Sequence, residues 1–188
     1  MLKKQNGDLM NYHNITKCDI LNGEGVRVVL WLAGCSHCCK GCHNPITWDK
    51  NGGLPFDDAA KQELFDALAD GDIDGITFSG GDPLFCDNRE QVGDLIKEIS
   101  QKFADKTIWL YTGYLWEDIK DLWFIPFVDI IVDGRFEIEK LNNNLLWKGS
   151  SNQRVIDVKQ SLKTNSVVLH CDNVKAELKE VKKCNNCC

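Results

Sequence analysis

The chain has 188 residues, 43% of them hydrophobic and 27% charged, which is enough for one globular domain with a buried core. Its formal net charge of −6 argues against a nucleic-acid partner, and no apolar run approaches the ~18 residues that would predict a membrane span. Ten cysteines, with no apolar segment near the amino terminus that would predict a signal peptide, favour metal or redox chemistry in the cytoplasm.

Three segments are expected along the chain. Residues 1–9 form a polar N-terminal extension, and Met10 could be an alternative start. Residues 10–170 form the domain, and residues 171–188 form a tail with the cysteines Cys171, Cys184, Cys187 and Cys188. The tail could bind a metal, form a regulatory disulfide or be a solvated end, and the sequence leaves these alternatives open.

The first strong signal is an apolar strand followed by cysteines. The run Val26–Ala33 predicts a buried strand, and Cys35, Cys38, Cys39 and Cys42 follow it within eight residues. The four cysteines can be grouped as two C-x-x-C pairs, Cys35 with Cys38 and Cys39 with Cys42, and this spacing is typical of zinc sites. A C-x-x-x-C-x-x-C set, with Cys38 left over, would hold three irons of a cubane cluster and leave the fourth iron open. Spacing alone leaves zinc and iron–sulfur about equally favoured.

After the cysteines, strand patterns and helix patterns alternate along the chain. Strands are expected over Ile76–Phe78, Ile108–Thr112 and Val128–Val132, with one or two edge strands within Val155–His170. Helices are expected from Asp57 or Asp58 to about Ala69, and over Asn88–Phe103, Leu115–Leu122 and Asp172–Lys183. This alternation predicts an α/β fold in which parallel strands are covered by helices.

Polar residues follow several of these strands, where α/β proteins tend to place their sites. Gly80, Gly81 and Asp82 follow the second strand, and a glycine pair lets the backbone approach a ligand while an acid accepts from an ammonium. A tight turn would have the same sequence. Asp133 and Arg135 end a later strand, where a site or an ion pair within a turn is equally favoured.

A third polar segment, Lys148–Gln153, leaves the same choice open. Ser150, Asn152 and Gln153 could supply hydrogen bonds to a cofactor or a partner, and a structured turn would use them too.

Several of these motifs resemble one enzyme family. The spacing Cys35-x-x-x-Cys39-x-x-Cys42 resembles the signature of the radical S-adenosylmethionine enzymes, and GCSHCCKGCHNPITW and NGEGVR resemble the glycyl-radical activating enzymes among them. The segments GGDP, TGY, DGRF and KGSSNQ are similar to those of the branch that activates anaerobic ribonucleotide reductases. The resemblance implies a partial (β/α) barrel of the radical S-adenosylmethionine type, with the cofactor at the rim formed by the carboxyl ends of the strands.

The resemblance also implies a set of ligands. Three thiolates, those of Cys35, Cys39 and Cys42, would bind a [4Fe–4S] cluster whose open iron takes the amino and carboxylate groups of S-adenosylmethionine. Gly41 and His43 would approach the adenosyl part of that cofactor. Its amino group would be held by Gly80, Gly81 and Asp82. His37 is interpreted as a loop residue, and no catalytic acid–base side chain is expected.

The implied activity is that of a radical S-adenosylmethionine oxidoreductase. A flavodoxin-like donor would reduce the cluster, S-adenosylmethionine would be cleaved, and the radical formed would take a hydrogen atom from a glycine of the large subunit of an anaerobic ribonucleoside-triphosphate reductase. Two alternatives remain: an activase of another glycyl-radical enzyme such as pyruvate formate-lyase, or a non-enzymatic zinc or iron–sulfur module.

Overall fold

The computed structural model describes residues 9–170, which form one seven-stranded sheet with helices packed on one of its faces. The strands are β1 (Asn11–Asp19), β2 (Arg27–Leu32), β3 (Leu54–Pro55), β4 (Gly75–Gly80), β5 (Thr107–Tyr111), β6 (Ile130–Asp133) and β7 (Arg154–Asp157). The α-helices are α1 (Asp58–Leu68), α2 (Arg89–Lys102), α3 (Trp116–Ile119) and α4 (Val158–Thr164). Short 3₁₀ helices lie at Pro45–Thr47, Ile125–Phe127 and Ile138–Lys140.

The sheet is mixed, in the order β3-β1-β2-β4-β5-β6-β7, and it is not closed. The prediction of parallel strands is confirmed for β2, β4, β5 and β6, which are neighbours in the sheet. Strands β1, β3 and β7 pair antiparallel; β7 was expected as an edge strand of a parallel sheet, and β1 and β3 were not predicted. The connection from β1 to β2 spans residues 20–26 only, and a parallel crossover needs a dozen residues or more, so this pair must be antiparallel.

The two longest helices lie where their sequence patterns place them. Helix α1 begins after Asp57, whose carboxylate accepts a hydrogen bond from the backbone N–H of Ala60, and this is the N-cap that the sequence predicted. Helix α2 buries Val92, Leu95, Ile96 and Ile99, the residues that share one face at a spacing of three and four, together with Gly93. Both apolar faces pack against the sheet and form its main core.

Side-chain alternation along the strands gives the sheet two different faces. On β5, Ile108 and Leu110 join the main core beneath the helices. Trp109 and Tyr111 lie on the opposite face, where Trp109 forms a small second core with residues of β6 and β7 and Tyr111 packs against it. One face of the sheet is therefore committed to packing, and the other is available for a site.

A buried arginine at the start of β2 ties the amino ends of the central strands together. Arg27 is 0% exposed, and its guanidinium donates to the carbonyls of Glu24, Ile76 and Thr107 and to the hydroxyls of Thr77 and Thr107. Within residues 9–170, no carboxylate lies at ion-pair distance from it. Burial lowers its pKa to about 10, so it stays charged at neutral pH, and hydrogen bonds rather than a counter-ion stabilise it.

Strands β1 and β3 and helix α4 differ from the sequence-based expectation. Strand β1 was not predicted, because its polar composition and two register irregularities against β2 obscure the alternation. One or two edge strands were expected within Val155–His170. Strand β7 confirms one of them, and helix α4 occupies the place of the second. The expected helix over 172–183 and the cysteines of the tail lie outside the described residues. Among residues 9–170, no helix is long and apolar enough to span a membrane.

Candidate functional site

A cavity of about 540 Å³ lies at the carboxyl ends of the four parallel strands. Each of these neighbouring strands supplies a loop to it: the cysteine loop (residues 34–44) after β2, the glycine–acid loop (80–84) after β4, Thr112–Gly113 after β5 and Gly134–Phe136 after β6. The carboxyl ends of parallel strands meet at one edge of a sheet, so four segments that are distant in sequence converge there. The cavity is the strongest candidate for a site within residues 9–170.

The cysteine loop presents three of its four thiols to the cavity. Cys35, Cys39 and Cys42 line the cavity, whereas Cys38 is exposed, is not among the lining residues, and has a positive φ of 47°. The backbone curls within the loop, since the N–H of Cys42 donates to the carbonyl of Cys39 at 3.1 Å. The structure thus brings together the set with spacing C-x-x-x-C-x-x-C and separates it from Cys38.

The chemistry of these donors fits an iron–sulfur cluster better than a single metal ion. Three soft thiol ligands on one wall are the type of ligand that such clusters take, and each would bind a different iron. Within residues 9–170, no three cysteine, histidine or acidic side chains converge as they would around one ion. Burial raises the pKa of Cys35 to about 11, so binding of a metal there must release a proton.

The glycine–acid loop lies directly against the start of the cysteine loop. The N–H of Gly81 donates to the carbonyl of Leu32, and the N–H of Asp82 donates to that of Gly34, both at 2.8 Å. A Cβ on Gly81 would lie 2.4 Å from the Gly34 carbonyl oxygen, so only glycine allows this approach. Gly81 and Asp82 line the cavity, while Gly80 lies behind them at the end of β4 with φ of 106°.

Asp82 is the most heavily hydrogen-bonded carboxylate around the cavity. It is 2% exposed, and it accepts from the N–H groups of Leu84 and Gly113 and from the hydroxyl of Thr112. His37 Nε2 lies 2.7 Å from its Oδ2. The same oxygen accepts from the N–H of Gly113, and the imidazole tautomer that carries its proton on Nε2 donates to it.

The remaining predicted contacts differ in how close they come to the cavity. His43 lines it, with its ring packed 5.1 Å from that of Phe136. Gly41 has φ of 73° and lies beside Ile138, outside the lining. The structure therefore brings His43 to the thiols and gives Gly41 the role of turning the loop.

At the carboxyl end of β6, Asp133 and Arg135 bind different partners within residues 9–170. Asp133 is fully buried and forms its ion pair with Arg154, which also binds Glu117, while Arg135 donates to the backbone carbonyl of His37. Burial and packing in a low-dielectric environment make the Asp133 pair an anchor at the junction of β6 and β7.

The segment Lys148–Gln153 is a structured turn built around one side chain. The side-chain oxygen of Gln153 accepts from the N–H groups of Gly149 and Ser150, and its amide nitrogen donates to the carbonyl of Gly134. Asn152 donates to the carbonyl of Arg135. These bonds fix the turn beside the cavity, which Lys148, Gly149 and Gln153 help to line.

Sequence reasoning missed His37 and Thr112 as parts of this arrangement. His37 was interpreted as a loop residue, yet its side chain contacts the glycine–acid loop. Thr112 was noted as a strand end and as part of the TGY segment, without a predicted contact to Asp82. One indication that His37 belongs to the site was available in the sequence, namely its position between two cysteines of the loop. Tyr111, whose buried hydroxyl has no hydrogen-bond partner within residues 9–170, also lines the cavity.

Comparison with known proteins points to the same chemistry. A family model described as a 4Fe-4S single cluster domain matches residues 21–156. The chain is similar to proteins named anaerobic ribonucleoside-triphosphate reductase-activating protein. Identity is 45% to that of Enterobacteria phage T4, over 78% of this chain and 93% of the relative. Identity is 38% to those of Haemophilus influenzae and Escherichia coli K12, over 77% and 78% of this chain and 96% and 97% of the relatives.

Proposed function

Because this chain belongs to the family of anaerobic ribonucleoside-triphosphate reductase-activating proteins, we propose that it activates such a reductase by generating a glycyl radical on it. The observation that carries the proposal is the placement of three cysteines on one wall of a cavity, beside a glycine–acid loop. The match to a 4Fe-4S domain over residues 21–156 covers both features. The sheet would then be the open, partial form of a radical S-adenosylmethionine barrel.

Three thiolates would hold a [4Fe–4S] cluster in this proposal, those of Cys35, Cys39 and Cys42. A protein that supplies three ligands to a four-iron cluster leaves one iron for another molecule. Cys38 is turned away from the cavity by its left-handed backbone, so it is left outside the ligand set.

S-adenosylmethionine would complete the site beside the glycine–acid loop. Gly81 brings backbone groups close to the cysteine loop, Gly80 precedes Gly81 at the end of β4, and the negative charge of Asp82 favours an ammonium nearby. Gly41 and His43 would border the adenosyl part, with the His43 ring held by Phe136. Bound together, cluster and cofactor would supply reductive cleavage of a carbon–sulfur bond and abstraction of a hydrogen atom from a glycine.

The protein itself would bind, orient and exclude water. Apolar side chains of the lining, which include Trp31, Phe136 and Trp147, would help the bound cofactors to keep solvent from the reacting centre, where a radical must not be quenched. No acid–base side chain is needed, because the chemistry belongs to the cofactors. A flavodoxin-like protein would supply the electron, and the large subunit of the reductase would supply the glycine.

Anaerobic reconstitution with iron and sulfide, followed by mixing with the reductase, tests the proposal. We expect about four irons per chain, release of methionine from S-adenosylmethionine on reduction, and a glycyl radical on the reductase by electron paramagnetic resonance. Methionine release without a radical on the reductase, but with one on pyruvate formate-lyase, would assign the chain to another glycyl-radical enzyme. A colourless protein that retains zinc on the cysteine loop would exclude both readings.

A further inference from the structure

Loops that follow three neighbouring strands all contact His37 of the cysteine loop. Its Nε2 bonds to Asp82 after β4, its ring packs on Tyr114 after β5, and its backbone carbonyl accepts from Arg135 after β6. The imidazole ring also lies against Gly113, where an added Cβ would be 2.4 Å from the ring. The His37 side chain is 13% exposed, so its bond to Asp82 is largely shielded from water.

The bond to Asp82 is the contact that bears on the site. The Asp82 carboxylate also organises its own surroundings, since Thr112, Gly113 and Leu84 donate to it. A charged acceptor in a buried network strengthens each bond and makes the loss of one donor costly. A side chain of the cysteine loop is thereby fixed to the loop that carries the proposed amino-group contacts.

We propose that His37 is a positioning residue that fixes the distance between the cysteine loop and the glycine–acid loop through Asp82. This inference deepens the proposed function and rests on it for its consequence, because S-adenosylmethionine would have to contact both loops at once. The contact itself is a property of the cofactor-free chain. Loss of the contact leaves the three thiols able to bind iron but frees the cluster to move relative to Gly81 and Asp82.

Three variants separate this role from a general effect on folding. His37→Leu removes the donor and fills its place with an apolar side chain. His37→Gln supplies an N–H donor again, on a flexible side chain. Gly113→Ala pushes the imidazole away while His37 is still present. His13→Leu is the control, because His13 lies on β1 and does not line the cavity.

The first measurement uses the chain without cofactors. Alkylation of Cys35, followed by mass spectrometry, reports how often the cysteine loop opens, and Cys18 on β1 is the internal reference. We expect His37→Leu and Gly113→Ala to raise the alkylation rate of Cys35 about 10- to 100-fold, the range for loss of a hydrogen bond to a charged group. His37→Gln should recover much of the protection, and Cys18 should not change.

The second measurement uses the reconstituted protein. We expect His37→Leu to keep the iron content of the wild type. Binding of S-adenosylmethionine is followed by the change in the paramagnetic resonance spectrum of the reduced cluster. We expect the concentration that gives half of this change to rise about tenfold or more in His37→Leu. His37→Gln should lie between the two, and His13→Leu should match the wild type.

Outcomes that overturn the inference are distinct from those that overturn the proposed function. Unchanged Cys35 alkylation in His37→Leu, no recovery in His37→Gln, or loss of iron in either variant would each reject the positioning role. If alkylation behaves as expected but the wild type neither binds nor cleaves S-adenosylmethionine, the loop contact stands and the proposed function fails.

Discussion

The close approach of Gly81 to the cysteine loop gives the sharpest test of how the cavity is built. In Gly81→Ala, the new Cβ would lie 2.4 Å from the carbonyl oxygen of Gly34 and 2.8 Å from that of Thr47, and both are backbone atoms. One loop must retreat by about 1 Å to reach the 3.4 Å of ordinary contact. Backbone cannot rotate away as a side chain can, so the two loops must separate.

The loss of stability in Gly81→Ala can be worked out from the hydrogen bonds that break when the two loops separate. The hydrogen bonds from Gly81 to Leu32 and from Asp82 to Gly34, both 2.8 Å long, join the two loops, and each is worth about 1 kcal/mol net. Overpacking that displaces backbone adds roughly 1–3 kcal/mol. We therefore expect Gly81→Ala to lower the free energy of unfolding of the cofactor-free chain by about 3–5 kcal/mol.

Urea denaturation followed by circular dichroism measures this change, with Gly71→Ala as the matched control. No atom lies within 4 Å of a Cβ added at Gly71, so the control removes a glycine without a clash. We expect Gly71→Ala to be neutral or to stabilise by up to about 1 kcal/mol, since alanine restricts the unfolded chain. A Gly81→Ala variant within about 0.5 kcal/mol of the control would refute the reasoning.

Three further predictions follow from other contacts. After anaerobic reconstitution, Cys39→Ser should lose most of its iron while Cys38→Ser keeps the wild-type content, and an equal loss in both would contradict the ligand set. Arg27→Met should destabilise the chain by about 3 kcal/mol in urea, because three carbonyls lose their donor and only part of that loss is offset by removal of a buried charge. Arg154→Met should be destabilising at neutral pH, and the difference from wild type should narrow as the pH falls. Hydrogen bonding to Arg154 lowers the pKa of Glu117 below its ordinary 4.5, so the ion pair contributes fully above pH 4.5 and is lost as the pH falls through that lowered pKa. A pH-independent difference would contradict this.

The parts of the fold that the sequence predicted well are those governed by a single periodicity. Strand β2 is a continuous apolar run, and helices α1 and α2 carry one apolar stripe each, so local pattern and tertiary packing agree. Strand β1 fails this condition, because Tyr12 and Ile15 are buried but do not alternate regularly across its bulges. Helix α4 was missed although Asp157, the N-cap whose side chain accepts from the N–H of Gln160, was visible in the sequence.

In the candidate site, too, some features could be predicted from local sequence and others depend on contacts between distant residues. The position of the motifs after strands, together with the family resemblance, implied that Cys35, Cys39 and Cys42 would lie near Asp82, and all four residues line one cavity. The bond between His37 and Asp82 joins residues 45 positions apart, and no local pattern encodes such a pairing. The choice of Arg154 rather than Arg135 as partner of Asp133 depends on the antiparallel return of β7, which the sequence did not predict.

The two-faced sheet limits how this chain can vary in length. Along β5, adjacent residues belong to different environments: Leu110 to the packed helices, Tyr111 to the cavity wall. Deleting one residue within that strand would exchange the two sets, placing aliphatic groups in the cavity and a tryptophan under the helices. An insertion or deletion of one residue within a central strand should therefore disturb both the packed face and the cavity wall, whereas a change of length in a connection between strands and helices leaves this alternation intact.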